Sequence, residues 1–264
     1  MKTKLKLSLG LLGLLFVGVL TILLTRSPFT AHVSTSAEAQ APSPEPGSLR
    51  WYAQSASAAG ETNFQLILSP RTPRVSDVNE AISNYSVVVG QLITQESVWY
   101  DPPDSIYTWY KFSVSETLTQ KPYAPCTACT FAPTPPTDLL PLQSNEILIP
   151  LPGGSAMIDN IVVETNIEDF AGLVPGERYL LFLNLNTNQQ GIVPIGPQGI
   201  LHINYDNTFA PVMMLAQGEY DPLSSGLATQ YGNYCSLSDY LNASRPSKTM
   251  KIKNAVKPST LLTP

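Results

Sequence analysis

SVVVGQLITQESVWYDPPDSIYTWYKFSVSETL, Ser86–Leu118, is the stretch whose reading decides the fold class. From Ile106 onward, Ile106, Thr108, Tyr110, Phe112, Val114 and Leu118 fall on one parity. Tyr107, Trp109, Lys111, Ser113, Ser115 and Thr117 fall on the other. Strand side chains point alternately to opposite faces, so this pattern predicts a long strand with one face on a core and one in water. Upstream, Val87, Val88 and Val89 are β-branched and favour a strand, and Gly90 interrupts them where a bulge or sharp bend is expected. The prolines at 102 and 103 mark a turn between the two runs. The prediction is a long, bent antiparallel pair.

Working outward, Ser76 reads as the N-cap of a short helix through Ile82. Further strand signals lie at Glu146–Leu151, Asn160–Thr165, Arg178–Asn184, Ile192–Ile195, Ile200–Tyr205 and Thr208–Met213. Asp206-Asn207 separates the last two as a tight hairpin turn. Short strands with Gly, Pro and Asn turns and almost no amphipathic helix predict an all-β domain, a small closed or nearly closed barrel over residues 76–215. Residues 119–144 form a Pro-rich loop too long for an ordinary connection. Residues 216–264 follow as a C-terminal segment, with a helical turn at Ser236–Asn242 and a basic tail. Residues 27–75 read as a Ser/Ala/Pro-rich extended linker, broken only by Trp51-Tyr52 and Phe64–Leu68, which could dock as an extra strand.

The N-terminus carries an address. Lys2, Lys4 and Lys6 precede an uncharged run, Leu7–Thr25, closed by Arg26. As a helix rising ~1.5 Å per residue, that run spans roughly 28 Å, close to the hydrocarbon core of a bilayer. It is longer than a usual signal-peptide core, which favours an uncleaved anchor over cleavage at Ala37-Glu38-Ala39. The lysines place residues 1–26 as cytoplasmic tip and transmembrane helix, with everything after them extracytoplasmic, or secreted if the signal is cleaved. Between residues 27 and 244, six basic residues face all twenty acids, a net of 6 − 20 = −14. An acidic body excludes nucleic acid as the expected partner. The last twenty residues hold Arg245, Lys248, Lys251, Lys253 and Lys257 and no acid; a solvated tail is one reading and contact with anionic lipid or wall polymer the other.

Taken together, SVVVG at Ser86–Gly90, the alternating strand Ile106–Leu118, PGERYLLFL at Pro175–Leu183 and GPQG at Gly196–Gly199 resemble a group of uncharacterised bacterial exported proteins. Their domain is similar to an oligonucleotide/oligosaccharide-binding (OB) type barrel, distantly similar in turn to the netrin-like domain of tissue inhibitors of metalloproteinases. The resemblance covers about half the chain. It implies an OB-like, partly open Greek-key barrel and, as an alternative function, protease inhibition; it brings no catalytic residue.

Candidate chemistry is sparse. Cys126-Thr127-Ala128-Cys129 has redox spacing, but Pro125 before it and Pro133 after it disfavour the helix that lowers a thiol pKa. Outside the membrane, a Cys126–Cys129 disulfide clipping the loop is the leading reading, with pairing of either to Cys235 the alternative. His202 lies in an expected strand without a nucleophile motif, and reads as a strand-face histidine held by a backbone partner rather than a base. Asp101, Asp104, Glu168 and Asp169 are loop carboxylates that could do glycosidase-type acid/base work or bind Ca²⁺ but read more simply as solvated turn residues. No metal or cofactor motif is present, so neither cofactor nor enzymatic activity is expected. Trp99, Tyr100, Tyr107 and Trp109 flank the first turn, as a stacking platform for a glycan or protein ligand or as a cluster covered by the 51–68 segment or the Pro-rich loop. The sequence therefore predicts a membrane-anchored extracytoplasmic binding module.

Overall fold

The computed structural model describes residues 43–69, 75, 77–123, 133–213 and 222–244, all but the first of these positions within the unit Pro44–Pro264. Strand outweighs helix, as expected, and the predicted pair is its centre. β2 (Ser86–Tyr100) and β3 (Ser105–Thr119) pair antiparallel from Tyr100↔Ser105 back to Val87↔Thr119. The register slips at Val87/Val88, Val89/Gly90 and Leu92/Thr94, leaving Leu118, Ser115 and Ile93 as the extra residues. Two slips on β3 cancel in side-chain parity, so Leu118 faces the same core as Phe112. Glycine suits the second slip: a Cβ on Gly90 would lie 3.2 Å from Phe112 Cβ. At the first, the Val87 N–H donates to Thr119 Oγ1 at 3.0 Å.

β2 and β3 belong to a seven-stranded sheet with β4 (Glu146–Pro152), β7 (Arg178–Leu185), β8 (Gly191–Ile192), β9 (Ile200–Ile203) and β10 (Phe209–Pro211), in the order β10-β9-β7-β2-β3-β4 with β8 beside β7. β7 is buried on both faces over Tyr179–Leu183, as its unbroken apolar run predicts. The expected closed barrel is corrected here: the sheet is open. Its free margin on β4 meets the β8 region only through a parallel bridge, Leu148↔Gln190, in which the Leu148 N–H donates to Gln189 O at 3.0 Å. The expected strand Ile192–Ile195 shrinks to Gly191–Ile192. Pro194 has no N–H for a ladder, and the chain turns at Gly196–Gly199 into a 3-10 turn.

The linker reading of residues 27–75 is corrected over its second half. α1 (Leu49–Ala58) starts at Ser48, whose Oγ accepts the Trp51 N–H at 3.0 Å. Leu49, Ala53 and Ala56, spaced four and three apart, are its buried stripe. They lie on Ile158, Ile161 and Val163 of a second, three-stranded sheet. That sheet comprises β1 (Asn63–Leu68), β6 (Ile161–Ile167) and β5 (Gly154–Ile158), with β1 parallel to β6 and β5 antiparallel to it. Phe64–Leu68 thus docks as the extra strand the sequence allowed. The linker reading discounted alanines, yet small side chains are what let a helix sit close on a sheet.

α2 (Val78–Asn84) is capped by Asp77, one residue after the predicted Ser76; the Asp77 carboxylate accepts the Glu80 N–H at 2.8 Å. The predicted helical turn at 236–242 is a full helix, α4 (Tyr234–Ala243), preceded by an unforeseen α3 (Pro222–Tyr231). Leu223, Leu227, Leu237 and Leu241 from these two helices join the main core with Phe112, Leu181 and Phe182. Tyr240, on the same helix, is 52% exposed. Glu116 on β3 ties α4 down: its carboxylate accepts from the Tyr234 hydroxyl, from Ser238 Oγ at 3.1 Å and from Asn242 Nδ2 at 3.3 Å.

Among the described residues, no helix is long and apolar enough to cross a membrane. The candidate anchor Leu7–Thr25, the Cys126/Cys129 pair and the basic tail after Ser244 lie outside the described residues. Cys235 is a free, exposed thiol on α4.

Candidate functional site

The four aromatics around the first turn are brought together, but not as an open platform. Trp109, expected outward, is 1% exposed and packs against Leu139 and Leu148, with Leu142 beside them. Its indole N–H donates to the Tyr100 hydroxyl at 2.7 Å, which donates to Thr134 O at 2.5 Å. The 133–142 part of the Pro-rich loop therefore lids Trp109. Trp99 is half-buried under α1, near Leu49 and Ile106, with the Arg50 guanidinium 4.9 Å above its ring. Tyr107 meets Tyr100 edge-on at 6.0 Å. Both covers allowed by the sequence are in place, one over each tryptophan, because bare indole is costly in water.

Asp101, Asp104 and Glu168, three of the loop carboxylates, are held by nearby groups. Asp104 accepts the Leu49 N–H at 2.6 Å and the Trp99 indole N–H at 3.1 Å, so it closes the first turn of α1 and clamps the aromatic at once. Asp101 lies 3.3 Å from Arg50 Nη1, and Glu168 accepts from the Ser69 hydroxyl. His202 on β9 has side-chain rather than backbone partners: Nε2 is 3.0 Å from Glu177 Oε2 and Nδ1 is 2.9 Å from Asn204 Oδ1. Lys111, expected toward water, instead reaches Glu146 Oε2 at 3.0 Å, with side chains 16% and 8% exposed. The Gln143 N–H, aided by Lys111 and opposed by burial, holds the Glu146 carboxyl below the usual range.

Two hollows remain. The larger, about 760 Å³, lies among α2, the end of β3, α3 and α4, walled by Ile82, Leu118, Leu241 and the Tyr231–Tyr240 ring pair. Asn79, Ser83, Thr119, Gln120 and Lys121 also line it, a mixed wall that specifies no particular occupant.

The smaller hollow, about 430 Å³, is a cleft between the two sheets. The large sheet contributes Gln95 and Ser97 from β2 and Thr108 and Tyr110 from β3. The small sheet contributes Ser155 from β5 and Glu164, Thr165 and Asn166 from β6, with Phe170 following. The hydroxyls have a fixed sense. Thr108 Oγ1 donates to Gly153 O at 2.7 Å, so its contact with Ser97 Oγ at 2.8 Å must be donated by Ser97. Ser97 Oγ then retains acceptor capacity. Burial pushes the Tyr110 phenol up to about 12, with the Thr108 hydroxyl offsetting part of that rise. Glu164 is the one charged side chain among the described residues lining the cleft, and it accepts from Gln65 Nε2 at 2.7 Å.

Gly154 makes the floor. At φ +128° it tolerates no side chain comfortably, and a Cβ there would stand 2.2 Å from Thr108 Oγ1 and 2.4 Å from Ser97 Oγ. In the sequence this position is only the second glycine of Pro152-Gly153-Gly154. The cleft escaped sequence reasoning because its walls come from two sheets, one of which begins in the expected linker.

No protein-family model, no curated protein and no solved structure matches this chain.

Proposed function

We propose that this chain is a membrane-anchored, extracytoplasmic binding module that holds a ligand without transforming it. The observation that carries this reading is the cleft between the sheets, a built hollow whose floor depends on Gly154 and whose walls present hydrogen-bonding groups. The charged Leu7–Thr25 flanks support the anchored, outward placement.

The test uses the full chain reconstituted in lipid nanodiscs and incubated with fractionated cell-envelope material. Saturable retention with the retained material chemically unchanged is the expected result. Absence of saturable retention, or release of cleaved product, refutes the reading. Protease shaving of intact cells tests the placement, and protection of residues 76–215 would overturn it.

A further inference from the structure

The chemistry of the inter-sheet cleft points to its ligand, and we infer that it is a binding site for a neutral, polyhydroxylated molecule, a short saccharide. This rests on the binding-module reading above and names the ligand class of that same site.

Three features carry the inference. First, the lining offers no positive charge: among its described residues there is no Lys, Arg or His, and the lone charge is the Glu164 carboxylate. A phosphate, nucleotide or carboxylate ligand would meet repulsion there with nothing to balance it. Second, one carboxylate is too few for a cation, and among the described residues no cluster of acidic, His or Cys side chains is arranged to hold a metal ion. Third, the cleft offers both acceptors and donors. Ser97 Oγ has acceptor capacity left after donating to Thr108, while Gln95 and Asn166 carry amides that donate and accept from one side chain. Sugar hydroxyls likewise donate and accept, so they can answer the fixed acceptor at Ser97 and the amides in either sense.

The apolar contribution fits as well. Half-buried Phe170, packed against the main core, also lines the cleft and supplies an apolar contact of the kind the C–H face of a pyranose takes. Gly153 and Gly154 let the backbone pack closely on Thr165 and on the Ser97 and Thr108 hydroxyls, while Gly172, with open space where a Cβ would stand, leaves the rim uncrowded. The volume, about 430 Å³, lies in the range of small-ligand pockets and admits one or two sugar rings rather than a folded partner. The directional chain from Ser97 to Thr108 to Gly153 fixes the hydroxyls before any ligand arrives, which lowers the ordering cost of binding.

The experiment presents the full chain in nanodiscs to an array of immobilised neutral oligosaccharides (cellotetraose, maltotetraose, chitotetraose) beside sulfated and sialylated glycans. Two cleft variants are compared with the parent. Gln95→Ala/Asn166→Ala removes two exposed amides, and Ser155→Trp fills the cleft from its exposed rim. Tyr205→Ala, at a side chain 97% exposed in the turn after β9, is the control. All four positions are exposed, so circular dichroism and melting should match the parent.

The expected result is retention on one or more neutral glycans, weakened at least about tenfold by each cleft variant and unchanged by the control. Binding only to sulfated or sialylated glycans overturns the inference, as does neutral binding that both cleft variants leave intact. If envelope material is retained but no glycan is, the saccharide assignment fails and the binding-module reading stands. If neither is retained, both fall.

Discussion

Replacing Trp109 with Ala tests whether the aromatic cluster is a structural lock rather than an exposed platform. The indole is 1% exposed and packs against Leu139 and Leu148. A buried Trp of roughly 200 Å² at about 25 cal/mol per Å² gives an upper estimate of about 5 kcal/mol, and Trp-to-Ala changes in cores cost about 3–5 kcal/mol. The indole N–H bond to Tyr100 is lost as well, although the Tyr100 hydroxyl keeps its bond to Thr134 O. We therefore expect a loss of about 4 kcal/mol. With a urea dependence of about 2 kcal/mol per molar, the unfolding midpoint falls by about 2 M. Leu139 and Leu142 lose their partner, so the 133–142 lid should also become a new site of limited proteolysis under native conditions. Trp109→Phe keeps most of the packing and should fall between parent and Ala. A midpoint within about 0.3 M of the parent, with an unchanged cleavage pattern, refutes the structural reading of the cluster.

Further outcomes follow from the same contacts. Gly154→Ala forces a side chain into φ +128° and against two hydroxyl oxygens, and should destabilise by more than about 2 kcal/mol in chemical unfolding, whereas Gly60→Ala, with open space around its Cβ, pays only the strain of its positive φ and should cost less. Lys111→Met leaves the Glu146 carboxylate buried with its Gln143 N–H alone, and should cost about 3 kcal/mol at neutral pH, read by thermal or urea unfolding. Because the folded Glu146 carboxyl lies below its ordinary value, its contribution is fully present above about 4.5 and fades as pH falls through and below the carboxylate range. The slope of parent stability against pH there should flatten in Glu146→Gln. Tyr110 and Tyr234 are both pushed up to about 12, chiefly by burial, so absorbance at 295 nm should show two phenols titrating after the others. Their neutral forms support the fold below pH 10, and that support is lost as pH climbs through about 12. Complete tyrosine titration near pH 10 in protein still folded by circular dichroism would contradict the burial.

What could be read from residues alone was local and periodic. The alternation in Ile106–Leu118, the break at Gly90 and the apolar run of β7 follow from strand geometry, since period-two burial is written directly in residue order. The neighbourhood of Trp99, Tyr100, Tyr107 and Trp109 was legible for the same reason, as all four flank one turn. Which cover lies over which tryptophan was not, because that depends on how α1 and residues 133–142 arrive from outside the hairpin. Glu116 was invisible as a docking point for α4, since its partners lie more than a hundred residues away. Tertiary structure alone decided that the sheet stays open, because Pro194 and a two-residue β8 leave β4 one bridge instead of a ladder. It alone made the cleft, because Ser97 and Thr108 of the large sheet meet β5 and β6 only in three dimensions, in a small sheet that α1 covers and β1 extends from the expected linker. Burial of that helix and strand is a sum over contacts distant in sequence, and no local pattern encodes such a sum.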